Sequence, residues 1–531
     1  MNTAETLAAM FDLAVSRNPD GAAYHYFDGS RSYRQLDEDS DALACFLREH
    51  GVGKGGRVMA CLQNVPATLI VLVACAKIGA ITVLANPMYK ARELAGLFED
   101  CGPSAIVCHD STVDESLHLL AEEGDAHLPG IILAVSAHDR QTRNDPWLGD
   151  PYRHRPLRGA SRFEDALAAM AGEVAERAAL DADDTAMLVY TSGTTGRPKG
   201  AMISHGNMFS AARFYRDWVD LRETDAVLAL APLFHVTGLS GHIFLAIDAA
   251  APVIFNYRFE PRVMLEAVVE HKPSFTVGAI TALNALTGYS GFRKEQFSSL
   301  RAILSGGAPI PPAVRQQFFD RTGLWIGNVY GLTETSGPIT ASPVGADIPV
   351  DPQSGALSTG IAVNRTLITF RDGDGREVPV GEVGELVAQG PGVVSGYWNK
   401  PQETEEAMRE FGFMTGDMGF RDEQGWVYLV DRKKDMIIAS GYKVWPREVE
   451  DVIYLHPAVR EVAVVGVQDQ YRGETVKAVV SLKPGAAAQA DEIREFCKQR
   501  LAAYKYPRII DIVEELPKTL TGKIIRAAVR D

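Results

Sequence analysis

At 531 residues the chain is too long for one hydrophobic core and must divide into several folding units. Its composition, 46% hydrophobic, 23% charged and 8% aromatic, is that of a globular protein and excludes a disordered, collagenous or coiled-coil chain. With 53 Lys and Arg against 68 Asp and Glu the net charge is −15, which speaks against nucleic acid or an anionic membrane as the main partner. A local basic loop holding a small anion remains compatible with that balance.

The N-terminal stretch Met1 to Arg17 is acidic and amphipathic and lacks the basic start and apolar run of a signal peptide. The most apolar stretch, Leu69 to Ala85, contains Lys77 and Gly79. It falls short of the ~20 residues a spanning helix needs, so a core helix followed by a core strand is expected. The six cysteines form no CxxC pair and are read as buried free thiols of a reducing compartment. A soluble cytoplasmic protein without an integral membrane segment is expected.

From residue 55 to about 330, short β-rich runs (Arg57 to Leu62, Ala80 to Leu84, Ala105 to His109, Ile131 to Val135, Met187 to Tyr190, Ala251 to Phe255, Ala302 to Ser305, Leu324 to Val329) take turns with helical patterns (Pro66 to Ile78, Lys90 to Cys101, Asn207 to Trp218, Arg262 to His271, Pro312 to Arg321). Such alternation implies parallel sheets covered on both faces, and the length calls for two of them. From about 338 to 430 Gly and Pro are dense and strands are short, which predicts an antiparallel, hairpin-rich region in the manner of a small β-barrel. The run Asp372-Gly373-Asp374-Gly375 reads as a turn, since it lacks the later ligands of a calcium loop. From Asp435 a separate small α+β unit is expected: a helix from Pro446 to Leu455, strands at Glu461 to Val467 and Lys477 to Leu482, a helix at Ala490 to Ala502 and a strand at Arg508 to Val513.

The most informative segment is Thr191-Ser192-Gly193-Thr194-Thr195-Gly196-Arg197-Pro198-Lys199-Gly200, which follows a predicted strand. Its glycines permit close backbone approach, its hydroxyls donate, and Arg197 and Lys199 carry charge, which is what a polyphosphate cradle requires. It is not a Walker A loop, because Pro198 precedes Lys199 and Gly200 follows it.

The loop resembles the signature of the adenylate-forming enzymes: acyl-CoA synthetases, firefly-luciferase-like proteins and peptide-synthetase adenylation domains. Further segments resemble that family in its order: Pro232-Leu233-Phe234-His235-Val236-Thr237-Gly238, Gly306-Gly307-Ala308-Pro309, Tyr330-Gly331-Leu332-Thr333-Glu334-Thr335, Gly396-Tyr397-Trp398-Asn399, Thr415-Gly416-Asp417, Asp431-Arg432, Ser440-Gly441-Tyr442-Lys443 and Pro517 to Lys523. The resemblance implies a large AMP-binding N-terminal domain over 1–433 (α/β to about 337, β-rich from about 338 to 430) and a mobile C-terminal lid over 434–531, hinged at Lys434. It implies ATP, Mg²⁺ and coenzyme A as co-substrates and cofactor, with a small carboxylic acid as the other partner.

The resemblance also assigns expected roles. Thr191, Ser192, Gly193, Thr194, Thr195, Gly196 and Lys199 would cradle phosphates. Glu334 would hold Mg²⁺, and Thr333 would donate to the α-phosphate, with Thr335 a weaker candidate. Tyr330 would stack on adenine, with Gly307, Ala308 and Pro309 lining the other side. Asp417 would clasp the ribose hydroxyls with Arg432 as its partner. Lys523 would bridge carboxylate and α-phosphate, and Gly441 and Lys443 would approach the thiol. His235 would flank the acid, in a pocket of Gly238, Gly278, Ile280, Gly306, Val329 and Leu332. In amino-acid-adenylating relatives an Asp stands where His235 stands here, and in malonate-type relatives an Arg precedes the Tyr-Gly motif. Neither is present, so an apolar acid is expected, a medium-to-long-chain fatty acid ahead of an aryl or cyclic carboxylic acid. An acyl-AMP ligase serving a carrier protein and a non-catalytic nucleotide-binding homologue are the alternatives.

Overall fold

The computed structural model describes residues 5–124, 128–149, 157, 159–191, 198–352, 355–432, 435–439, 442–469, 473–519 and 524–530. Among them the strands form four sheets. The first runs in the order Ala160–Arg162, Ile131–Val135, Ala105–His109, Arg57–Cys61, Ile81–Leu84, Thr185–Thr191, Lys199–Ser204. Its pairs are parallel except the last, which is antiparallel. The second has a parallel centre (Ile326–Leu332, Ala302–Ser305, Phe275–Gly278, Val227–Leu228, Val253–Phe255, Ala22–Tyr26) and antiparallel additions at both edges. The two parallel-rich sheets expected from the alternating pattern are therefore present.

The helix Pro66–Ile78 is buried along its whole length, which explains its apolar sequence without a membrane. Among the described residues no helix is long and apolar enough to cross one. Lys77, in that helix, is fully buried, and its ammonium is neutralised rather than stranded: Nζ lies 2.6 Å from Asp37, 2.8 Å from Asp41 and 2.7 Å from Ser40, all on the helix Tyr33–Glu49. A buried ammonium persists only with such partners. All six cysteines are free, and burial pushes the thiols of Cys61 and Cys75 up to about 12.

The β-rich region is a five-stranded antiparallel half-barrel of Leu367–Arg371, Gly384–Gln389, Gly412–Arg421, Met408–Arg409 and Val427–Arg432. Asp372 makes the expected turn, its Oδ1 accepting from the amides of Asp374 and Arg376 at 2.9 Å each. A fourth sheet (Tyr442–Val444, Ile437–Ala439, Gly473–Leu482, Val459–Asp469, Ile509–Val513) with the helices Pro446–Tyr454 and Ala490–Lys498 forms a separate small C-terminal domain with its own core. The second of these helices ends four residues short of the sequence expectation.

Among the described residues ahead of the C-terminal domain, three buried histidines bind backbone amides through a bare ring nitrogen. His109 Nε2 accepts from Gln63, His205 Nδ1 from Leu7 and His242 Nε2 from Ala231. Burial holds them down at about 4, about 4 and about 3. Each depressed value favours the fold above the unfolded histidine value near ~6.5 and loses that contribution as pH falls toward 4. Asp451, raised by burial to about 7, acts in the opposite sense, as do Glu450 and Asp139, which burial also raises, while the lowered His25 and His271 and the lowered carboxyls of Asp28, Asp145 and Asp184 add to the three histidines. The melting temperature is expected to drop between pH 7 and 4.5; a flat or rising profile in calorimetry would contradict this account.

Candidate active site

Ligands of open parallel sheets gather at the carboxyl ends of the strands, and the segments singled out in the sequence sit there. Thr191 ends one strand of the first sheet, while Gly278, Ser305 and Leu332 end strands of the second. The strands on either side of the expected phosphate loop, Thr185–Thr191 and Lys199–Ser204, pair antiparallel with Thr191 opposite Lys199. Ser192, Gly193, Thr194, Thr195, Gly196 and Arg197 lie outside the described residues. The returning strand is pinned by the Gly396-Tyr397-Trp398 motif: Trp398 N donates to Gly200 O at 2.8 Å and Met202 N to Gly396 O at 3.0 Å.

This pinning carries Tyr397 into the site. Its ring lies 5.1 Å from Lys199 Nζ, and its hydroxyl donates to Glu334 Oε1 at 2.8 Å. Burial, with the Glu334 charge beside it, pushes the phenol well above its usual range, so it stays a donor. The motif order alone gives this tyrosine no role. Its partner lies 63 positions away, and nothing in the local pattern announces the contact. Thr333 and Glu334 stand on a single 3₁₀ turn, Thr333–Thr335, after the strand Ile326–Leu332. Thr335 Oγ1 is engaged by Leu332 N and by the carbonyls of Leu332 and Gly337, which gives it a turn-holding duty.

Four residues before Glu334, Tyr330 Oη donates to Asp417 Oδ2 at 2.6 Å, joining the second sheet to the half-barrel. Asp417 is buried within the strand Gly412–Arg421 and sits opposite Arg432 in the ladder. The two residues expected to act together at the ribose are neighbours in backbone register. Gly307 and Pro309 are exposed and Ala308 is half-buried, so the lip they form beside this strand end is accessible.

On the other side, His235 caps the helical turn Val236–Gly238 and is half-buried. The small residues expected to line an acid pocket have a packing reason for being small. A Cβ on Gly238 would lie 2.2 Å from Pro232 O, one on Gly278 2.7 Å from Leu230 Cδ2, and one on Gly306 2.8 Å from Val329 O. Ile280 and Val329 are buried and Leu332 half-buried. Gly441, Lys434 and Lys523 lie outside the described residues. Lys443 belongs to the strand Tyr442–Val444, paired with Ile438.

Among the described residues no group of three or more His, Cys, Asp or Glu could cage a metal. A half-buried carboxylate such as Glu334, oriented by Tyr397, suits a cation that takes one protein ligand and completes its shell with phosphate oxygens and water.

The sequence profile of the AMP-binding enzyme family matches residues 11–398, and that of the AMP-binding enzyme C-terminal domain matches 448–523. A long-chain-fatty-acid–CoA ligase of Bacillus subtilis is 34% identical over 539 residues, covering 98% of this chain and 93% of the relative. A feruloyl-CoA synthase of Amycolatopsis is 33% identical over 520 residues, covering 97% and 96%. Among solved structures, the anthranilate CoA ligase AuaEII in complex with anthranoyl-AMP superposes with a TM-score of 0.88 at 26% identity, covering 99% of this chain and 96% of that one. The fold, the order of the motifs and these matches agree: the chain belongs to the AMP-binding enzyme family, as a ligase.

Proposed function

We propose that the protein is an AMP-forming acyl-CoA synthetase. A carboxylate oxygen attacks the α-phosphorus of ATP, the bond to pyrophosphate breaks, and an acyl adenylate results. The thiolate of coenzyme A then attacks the acyl carbon and AMP leaves. The observation that carries this reading is one chain of contacts. Lys199 at the exit of the phosphate loop faces Tyr397, Tyr397 holds Glu334, and four residues earlier on that strand end Tyr330 holds Asp417. Positive charge and a metal-type carboxylate suited to phosphates thus stand near an aromatic plane suited to a base and a diol-type carboxylate suited to the sugar.

Asp417 accepts from the ribose hydroxyls, two of which one carboxylate can satisfy. Thr333 donates to the α-phosphate beside it. Glu334 would hold Mg²⁺, which when bound neutralises charge on the phosphates. Lys523 places an ammonium where carboxylate and phosphate meet, and the small domain pivots near Lys434 to bring Gly441 and Lys443 toward the thiol. The relatives' names, fatty-acid, feruloyl and anthranilate ligases, accord with an apolar acid here.

None of the residues assigned here to the acid side, His235, Gly238, Gly278, Ile280, Gly306, Val329 and Leu332, is an Asp, Glu, Lys or Arg. His235 replaces an acidic residue, and the strand Ile326–Leu332 contains no Lys or Arg. Asn328 is buried with its amide donating to Ser358 O at 2.9 Å. An ammonium or second carboxylate buried without a partner costs several kcal/mol, whereas each buried methylene contributes about 0.8 kcal/mol. Pyrophosphate release with octanoate, a cinnamate-type acid, phenylalanine and malonate, followed by thioester detection on adding coenzyme A, tests the reading. Octanoate or the cinnamate should give the higher kcat/KM, with octanoate slightly ahead; preference for phenylalanine or malonate would overturn the choice of acid. Pyrophosphate release without any thioester would overturn coenzyme A as acceptor.

A further inference from the structure

The segment from Ala229 to His235 leaves the second sheet after a strand of only two residues, Val227 and Leu228. It must nevertheless hold His235 at the site. Two buried side chains replace the missing ladder. Asn64 Nδ2 donates to Ala229 O and to Ala231 O, each at 3.0 Å, and Asn64 Oδ1 accepts from Leu233 N at 2.9 Å. Two carbonyls and one amide admit only one orientation of the carboxamide. His242 Nε2 accepts from Ala231 N at 3.0 Å.

Both anchors are themselves fixed. Asn64 exchanges backbone hydrogen bonds with Tyr257, N to O at 2.9 Å and O to N at 3.0 Å. His242 is 0% exposed and lies in Leu239–Phe244, where the helix widens to a π-turn. Such turns carry an extra residue and recur at functional sites. Asn64 follows the strand Arg57–Cys61 of the first sheet, so its amide also sets the spacing between the two sheets. The position passes on directly: His235 N donates to Pro232 O at 3.2 Å, and Gly238 packs against that same carbonyl.

We propose that Asn64 and His242 are positioning residues for the acid side of the site, fixing the segment from Ala229 to Leu233 and, through it, His235, so that acid selection depends on them and nucleotide binding does not. This rests on the reading of the site as an acyl-CoA synthetase. Asn64→Asp keeps an acceptor for Leu233 but offers the two carbonyls no donor. His242→Leu removes the acceptor for Ala231, and His242→Gln can restore it.

In pyrophosphate-release assays, Asn64→Asp and His242→Leu should lower kcat/KM for the acid by about tenfold and shift the octanoate-to-cinnamate ratio by about threefold or more, with KM for ATP within about twofold of wild type. His242→Gln should recover most of the loss. Hydrogen exchange of a peptide spanning 229–238 should quicken in the first two variants. Equal losses toward acid and ATP with an unchanged acid ratio, or unchanged exchange in that peptide, would overturn the proposal. If wild-type protein released no pyrophosphate with any acid, the synthetase reading would fall, and the exchange measurement would still decide whether these side chains hold the segment. Should Asn64→Asp not accumulate in folded form, the two His242 variants carry the same comparison.

Discussion

Lys523→Ala is expected to reduce acyl-adenylate formation by about 10²–10³-fold, because removing a cation from a developing phosphate anion costs about 3–4 kcal/mol. The fold should survive the change. The described residues on either side of position 523 are held together: Ile525 N donates to Pro517 O at 2.8 Å, and Lys518 and Ile524 form an antiparallel bridge. Three residues on, Arg526 reaches Asp431 at 2.7 Å and Glu450 at 2.8 Å, joining the C-terminal segment to the last strand of the half-barrel and to the helix Pro446–Tyr454. Those contacts keep the loop ends in place whatever residue occupies position 523. Thioester formation from supplied acyl adenylate should fall much less, since no phosphorus is attacked in that step. Pyrophosphate release and single-turnover thioester formation measure the two halves separately. An equal loss in both would show that the lysine acts on the fold or on domain rotation and not on the charge of adenylation.

Elements whose residues all point into one environment were legible in the sequence. Pro66–Ile78 begins at a proline, ends before a left-handed glycine, and is read to the residue. The buried strands Ala105–His109, Ile131–Val135 and Ala302–Ser305 are apolar but for a terminal His109 and Ser305, and are also read to the residue. Strands whose partner is remote were not legible. Ala22–Tyr26 and Gly29–Ser32 form a hairpin that joins the second sheet beside Val253–Phe255, a pairing no local pattern contains. Gly412–Arg421 hides behind its glycines, so no strand was expected around Asp417, which sits within a ten-residue strand. Lys77 shows the same limit in energetic form. It reads as an interruption of an apolar run, and only the neighbouring helix, with Asp37, Ser40 and Asp41 on one face, makes its burial affordable. Candidate site residues could be named by type and motif order, and the structure brings Tyr330 to Asp417 and places Thr333 and Glu334 on one turn. Tyr397, Asn64 and His242 were not legible, because each acts by holding another segment, and asparagine or histidine in an apolar stretch has no signature of its own.

Glu334→Gln is expected to cost about 10²-fold or more in adenylation and to raise the Mg²⁺ concentration needed for half-maximal rate. The substitution keeps shape and removes charge. Glutamine can still accept from the Tyr397 hydroxyl that lies 2.8 Å from Oε1, so the turn Thr333–Thr335 and the Val394 amide bonded to Glu334 O at 3.0 Å should stay as they are. Tyr397→Phe makes the complementary change, sparing the carboxylate charge and removing the bond that orients it. A hydrogen bond to a charged group contributes about 1.5–3 kcal/mol, part of which water replaces at a half-buried site, so this variant should lose about tenfold or less. Its Mg²⁺ dependence should shift little, because the charge that attracts the cation remains. Titrating Mg²⁺ at saturating ATP and acid for wild type and both variants separates the two effects. Equal losses with unaltered half-saturation would mean that Glu334 serves as the anchor of Tyr397, and hence of the strand that returns from the phosphate loop, with the cation held elsewhere.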